Sequence, residues 1–163
     1  MEVYKRKMLH SDIEAVNELV NKTLSHRSML KVYEESEIAV WQDLYVPSAF
    51  ETILDTCHAY LLIEQGTERI LACGYINLLD DKHTAHIGMV FTDFQVRNMG
   101  LGKRIIEILE NDEYAKIADK IILSFSMSAY RFYRKLGYVC KDNEYQVEKD
   151  FDIFSIPMEK NMK

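Results

Sequence analysis

The stretch Gln95-Val96-Arg97-Asn98-Met99-Gly100-Leu101-Gly102-Lys103-Arg104 sets two closely spaced glycines among three cations. The hydropathy pattern puts it between a strand and a helix. Glycine accepts backbone conformations that let successive N–H groups face one concavity, and the start of a helix adds partial positive charge. Together they suit an anion, with Lys103 and Arg104 as added cationic contacts. A phosphate-binding P-loop would need glycine at Arg97 and serine or threonine at Arg104. A dinucleotide fingerprint starting at Gly100 would need glycine at Ile105. Both fail, and a tight structural turn fits the two glycines as well as an anion site does.

Other residues could carry proton chemistry. His86 lies in a β-like run, where alternation puts His86, Gly88, Val90 and Thr92 on one face if no bulge intervenes. A histidine of ordinary pKa near ~6.5 suits a general base at neutral pH; a satisfied core or rim histidine fits the position too, and Asp93 or a water relay are competing bases. His83 and His86 form a His-x-x-His pair, which on a strand does not bring both rings to one side, so no metal site is expected. Cys57, Cys73 and Cys140 lie in apolar segments and read as small core residues.

A second block follows: Ser126-Met127-Ser128-Ala129-Tyr130-Arg131-Phe132-Tyr133-Arg134-Lys135-Leu136-Gly137-Tyr138. It resembles the [Asn/Ser]-x-x-Ala-x-x-Phe-Tyr-x-x-x-Gly-[Phe/Tyr] block of the GCN5-related N-acetyltransferases, the GNAT superfamily. Arg97 to Gly102 likewise resembles that family's [Arg/Gln]-x-x-Gly-x-[Gly/Ala] signature. The chain departs from the family at Phe94, where a proline is common, and at Ser126, where asparagine is.

The resemblance implies an α/β GNAT fold with a mixed, mostly antiparallel sheet flanked by helices, and acetyl-CoA as co-substrate. It implies that Arg97, Asn98, Met99, Gly100, Leu101, Gly102 and Lys103 cradle the diphosphate. Val90, Phe91 and Thr92 would pair with the pantetheine arm where the strand splays from its neighbour. Ser126 and Ala129 would add cofactor contacts. Tyr133 would face the cofactor sulfur as general acid, although an aromatic packed on the sheet fits it too, and His86 would stand where the family often has a glutamate base. The acceptor is then a primary amine, small or peptidyl. Tyr33, Glu34, Glu35, Glu37, Trp41 and Tyr45 are candidate walls for it, or else an acidic helix with a core-facing Trp41 and Tyr45. No cysteine falls in these elements to form an acyl-enzyme, so direct attack of the amine is expected.

The elements that must position these groups read in order. Val3–Leu9 is a strand. Ser11-Asp12-Ile13-Glu14 has the form of a capping box opening a helix over 12–24. A helix over 28–45 stops at Pro47, and Ser48-Ala49-Phe50-Glu51 reads as a second box. Ala59–Gln65, Ile70–Leu79 and Thr84–Thr92 form an antiparallel run with a hairpin at Gly66–Arg69. A helix from Leu101 to about Ala115, a strand Ile121–Phe125 and a helix Ser128–Leu136 follow, with Gly137 suited to the last helix's C′ position. Val139–Cys140, Gln146–Glu148 and Phe151–Met158 supply closing strands. No repeat or composition shift divides 1–163, so one domain is expected.

The 163 residues are 48% hydrophobic and 28% charged, with net charge −6. An acidic surface disfavours nucleic acid as a partner. Met1–Leu9 leads into no apolar h-region, so it is not read as a signal peptide, and no apolar run approaches a membrane span. Three unpaired-looking cysteines point to a reduced, cytoplasmic setting. Exposed strand edges are compatible with a homodimer. A non-catalytic acyl-CoA-binding or sensing module, and a nucleotide-binding interaction domain, remain alternatives.

Overall fold

The computed structural model describes residues 1–125, 129–141, 148–150 and 153–163. β1 (Val3–Lys7) comes first, and strand-length runs rich in apolar and β-branched residues then give β2 (His58–Glu64), β3 (Ile70–Leu78) and β4 (Thr84–Thr92), each strand antiparallel to the next. β5 (Lys120–Phe125) lies parallel to β4, and β8 (Ile153–Asn161) pairs on its far side. β6 (Val139–Cys140) and β7 (Glu148–Asp150) pair with β8. The mixed sheet therefore runs β1-β2-β3-β4-β5-β8-β6. Of the closing strands, Val139–Cys140 is as expected, whereas β7 runs on past Glu148 to Asp150 and β8 runs on past Met158 to Asn161; residues 142–147 and 151–152 of that region lie outside the described residues.

Each face of the sheet buries its own helices. α1 (Ile13–Leu24), α2 (Glu35–Leu44) and α3 (Pro47–Thr56) cover one face, where Val16, Val20, Leu24 and Phe50 are fully buried with Leu61, Ile63 and Cys73. α4 (Leu101–Glu110), α5 (Glu113–Ile117) and α6 (Tyr130–Lys135) lie on the other. There Leu101, Ile105, Ile106 and Leu109, at helical spacing, pack on Leu62, Leu71, Ile76 and Ile87.

The helix ends differ from the sequence reading in four places. Ser11 and Glu14 do not open α1; Asp12 is its N-cap, after a 3₁₀ turn over His10–Asp12. The Asp12 carboxylate instead turns back to accept Leu9 N–H at 2.8 Å and the Arg6 guanidinium at 2.6 and 2.8 Å. The expected helix over 28–45 is a 3₁₀ turn at Met29–Lys31 followed by α2, which Glu37 starts by accepting the Glu34 N–H at 2.9 Å. Pro47 does not merely stop a helix; it occupies the first position of α3, where its missing N–H costs nothing, and Val46 rather than Ser48 is the N-cap. The helix expected to run to Ala115 breaks at Asn111, because the Asp112 carboxylate accepts the Tyr114 N–H at 2.8 Å and caps a separate α5.

Candidate active site

β4 carries the first unusual geometry. Tyr75 lies opposite Gly88 and Cys73 opposite Phe91, so Gly74 alone faces both Met89 and Val90. This is a β-bulge, with Met89 held at φ +54°. It overturns the expected alternation. Met89 packs with the α1–α3 side, and Val90 with the α4 side. His86 and Gly88 consequently face α1–α3, against the Tyr75 ring, whereas Val90 and Thr92 face α4.

The same strand leaves its parallel neighbour. β4 and β5 pair only at Thr84↔Lys120, Ala85↔Ile121 and His86↔Ile122. Beyond His86 the two strands diverge, and the sheet is split beside Val90, Phe91 and Thr92, the backbone that the resemblance assigned to the pantetheine arm.

At the end of β4 the chain makes a 3₁₀ turn at Phe94–Val96 and swings into α4. Asp93 secures that swing, accepting Gln95 N–H at 2.9 Å and bonding the Arg69 guanidinium at 2.5 Å. A carboxylate so engaged is a fastening rather than a base. Phe94, at the position where proline is common in the family, stacks on His26 with centroids 4.7 Å apart. Arg97 reaches Ser28 Oγ at 3.2 Å, joining the turn to the loop after α1.

Asn98 and Gly100 both take the left-handed conformation, at φ +64° and +76°. A Cβ on Gly100 would meet nothing within 4 Å, so the space above it is open. Gly102 differs: its Cβ would come within 3.3 Å of the Phe132 ring, and its value is close approach to α6. Intrahelical bonding starts with Arg104 N–H to the Gly100 carbonyl at 3.0 Å. Among the described residues, nothing accepts from the N–H groups of Gly100, Leu101, Gly102 or Lys103. Open space above unengaged amides at a helix start is the arrangement a diphosphate needs. Lys103 is exposed beside Glu107 at 3.6 Å. Arg104 is not a cradle cation, because its guanidinium donates to the Val3 carbonyl at 2.7 Å.

Tyr133 reaches the sheet from the α4 side. It is buried, edge-on to Phe132 at 4.9 Å and to Tyr138 at 5.8 Å, and burial raises its pKa above the ordinary phenol value. Ala129 is the N-cap residue of α6. Ser126 lies outside the described residues. From the α1–α3 side, His86 Nδ1 lies 3.3 Å from the Asn77 carboxamide oxygen, and burial lowers its pKa below the usual histidine value. That pairing favours a proton on Nδ1 and leaves a lone pair on Nε2. His83 is exposed, 3.3 Å from Asp119, and does not join His86. Among the described residues no group of three His, Cys, Asp or Glu could hold a metal.

Of the expected acceptor walls, Tyr33 and Trp41 pack together at 4.8 Å, and Glu34 and Glu35 are exposed. Tyr75 was missed by the sequence reading. Its ring covers Gly88, where any Cβ would fall 2.4 Å from it. The available signal was a glycine in register with an aromatic on the neighbouring strand.

A sheet that opens between parallel strands, next to a turn of unengaged amides, offers an extended ligand a free strand edge and its anionic end a helix start. The sequence matches the acetyltransferase (GNAT) domain family over residues 29–162, and the chain belongs to that family. Acyl transfer is accordingly its class of chemistry. No curated protein matches the sequence. Solved structures show the same fold. The PaiA N-acetyltransferase of Thermoplasma acidophilum, solved in complex with coenzyme A, is 16% identical, with TM-score 0.78 over 99% of both chains. A GCN5-related N-acetyltransferase of Rhodopseudomonas palustris is 17% identical, with TM-score 0.79 over 99% of this chain and 96% of that one. A Trypanosoma brucei acetyltransferase is 24% identical, with TM-score 0.64 over 91% of this chain and 99% of that one. Among the described residues no helix is long and apolar enough to cross a membrane.

Proposed function

We propose that the chain is an acetyl-CoA-dependent N-acetyltransferase, one domain over 1–163, acting on a primary amine by direct attack with both substrates bound. The observation that carries this reading is the set of unengaged N–H groups around Gly100 beside the split between β4 and β5. The Thermoplasma relative, solved with coenzyme A, supports the choice of donor. The residues that fit it are the turn from Arg97 to Lys103 for the diphosphate, and Val90, Phe91 and Thr92 for the pantetheine arm. Acetyl-CoA supplies the activated thioester.

An alkylammonium has a reference pKa of about 10.4, so it must lose a proton before it attacks. His86 Nε2 takes that proton from the α1–α3 side. A main-chain N–H just past the bulge polarises the thioester carbonyl. The nitrogen–carbon bond forms, the carbon–sulfur bond breaks, and the thiolate leaves. Burial makes the Tyr133 hydroxyl a weaker acid than free phenol, so it stabilises the thiolate by donating a hydrogen bond and keeps its own proton. His86 passes the first proton to solvent before the amine attacks, and the proton then lost by the acylated nitrogen leaves by the same route. Three free cysteines suit a reduced, cytoplasmic setting.

The test is a panel of small and peptidyl amines with acetyl-CoA, following free thiol. The proposal expects amine-dependent thiol release, lowered on the order of 10-fold or more in kcat by Tyr133→Phe with coenzyme A affinity retained. A folded protein that binds coenzyme A but releases no thiol with any amine would instead be an acyl-CoA sensor. One that binds no coenzyme A at millimolar concentration would refute the reading.

A further inference from the structure

Aromatic side chains stand on both sides of the sheet at the split. Tyr133 approaches from the α4 side, and a row of aromatic rings lies on the opposite side. Tyr45, just past the end of α2, is fixed at its backbone by an N–H bond to the Trp41 carbonyl at 3.0 Å. Its ring meets Phe91 edge-on at 5.3 Å, on the stretch of β4 that has left β5. Phe50 of α3, fully buried, stacks behind it at 6.3 Å. Tyr75 lies next along the same wall, over Gly88.

Burial raises the pKa of the Tyr45 hydroxyl. Burial likewise pushes Tyr75 up to about 12. These hydroxyls stay neutral, and the wall they form is uncharged at working pH.

We infer that Tyr45 limits the length of the transferred acyl group: its ring, set between Phe50 and Phe91 on the α1–α3 side of the strand that leaves β5, admits an acetyl group and excludes longer chains. This rests on the acetyl-transfer reading above. With a wholly buried phenylalanine on one side and a sheet strand on the other, the half-buried ring cannot move in either of those directions at low cost, because the neighbours there are closely packed. A chain longer than two carbons would have to displace it.

The experiment compares acetyl-, butyryl- and hexanoyl-CoA, by calorimetric binding and by turnover with one amine, in wild type, Tyr45→Phe and Tyr45→Ala. Wild type and Tyr45→Phe should favour acetyl over butyryl by roughly 100-fold in kcat/KM, and over hexanoyl by more, since each misplaced methylene is worth about 10-fold or more. Tyr45→Ala should bring the longer donors to within about 10-fold of acetyl. If the alanine variant does not fold, Tyr45→Leu, closer in volume, should show a smaller shift in the same direction. Wild type that uses hexanoyl-CoA as well as acetyl-CoA overturns the inference. So does an alanine variant that keeps the donor ranking and changes only the KM for the amine, which would make Tyr45 an acceptor wall. Absence of coenzyme A binding by wild type is a different failure; it removes the parent reading as well.

Discussion

The two ends of α4 are built on opposite terms. At the C-terminal end, Asp112 is almost wholly buried, yet its carboxylate is saturated. It accepts from the Tyr60 hydroxyl at 2.6 Å, from His58 Nδ1 at 3.0 Å and from Tyr114 N–H at 2.8 Å. The His58 ring also stacks on Tyr114 at 4.0 Å. At the N-terminal end, the amides of Gly100 to Lys103 have no acceptor among the described residues, and the space above Gly100 is open. One end spends its polar groups on holding β2, α4 and α5 together. The other holds donors ready for something outside the chain. Buried polar groups are almost always paired in folded proteins, so the contrast separates scaffold from site more sharply than residue type does. By type alone, a histidine, an aspartate and a tyrosine in contact at His58 would look more like a catalytic centre than a pair of glycines.

The largest effect should come from breaking the closed end. Asp112→Ala leaves the Tyr60 hydroxyl, the His58 ring and the Tyr114 N–H without their acceptor in a half-buried place. Leaving such donors unpaired costs about 3 kcal/mol together. For a domain of this size that lowers Tm by roughly 6–12 °C. Thermal unfolding measures it, and calorimetry of the variant below its Tm should find coenzyme A affinity near wild type. A loss of affinity as large as the loss of stability would mean that the two ends are not separable.

Next comes the open end. Gly100→Val puts a β-branched side chain at φ +76°, into the open space beside the unengaged amides. Left-handed backbone costs a non-glycine residue about 1–2 kcal/mol, and charge-assisted hydrogen bonds are worth about 1.5–3 kcal/mol each. Coenzyme A affinity should fall about 100-fold, near 2.7 kcal/mol, with a smaller drop in Tm. Equal binding by this variant and wild type would detach the turn from the cofactor.

These two ends were not equally legible in the sequence. The open end announces itself, because a left-handed position at a helix start selects glycine and the spacing survives in the residue string. The fold was legible for a related reason: strand-length apolar runs in β2 and β3, buried on both faces, and apolar residues at helical period in α1 and α4 follow directly from what is buried. The closed end was misread as continuous helix. Asn111-Asp112-Glu113 does carry a cap signal, but apolar residues on both sides outweighed it. The bulge left no mark, since Met89 holds a positive φ that the local sequence does not request and its register with β3 imposes. That single residue moved His86 and Val90 to opposite faces. The aromatic wall at Tyr45 depends on contacts between α2, α3 and β4, which periodicity within one segment does not encode.

The smallest effect concerns His86, which stands at the boundary between the paired and split parts of β4 and so tests which regime it belongs to. Burial lowers its folded-state pKa below the ordinary histidine value of about 6.5. The neutral ring is the form that accepts a proton, so protonation as pH falls removes the base. kcat should therefore be level on this account near pH 7 and fall in acid, about 10-fold per unit below the lowered pKa, or about 1.4 kcal/mol for the first unit. Stability moves with the same sign. A histidine depressed by folding binds its proton more readily in the unfolded chain, so the folded state is favoured above about pH 6.5 and loses that contribution as pH falls. A kcat profile between pH 5 and 8 measures the limb, and His86→Gln should flatten it while lowering the plateau. If the acid limb persists unchanged in His86→Gln, the proton acceptor is another group or a water, and His86 belongs with Asp112 among the residues that hold the sheet together.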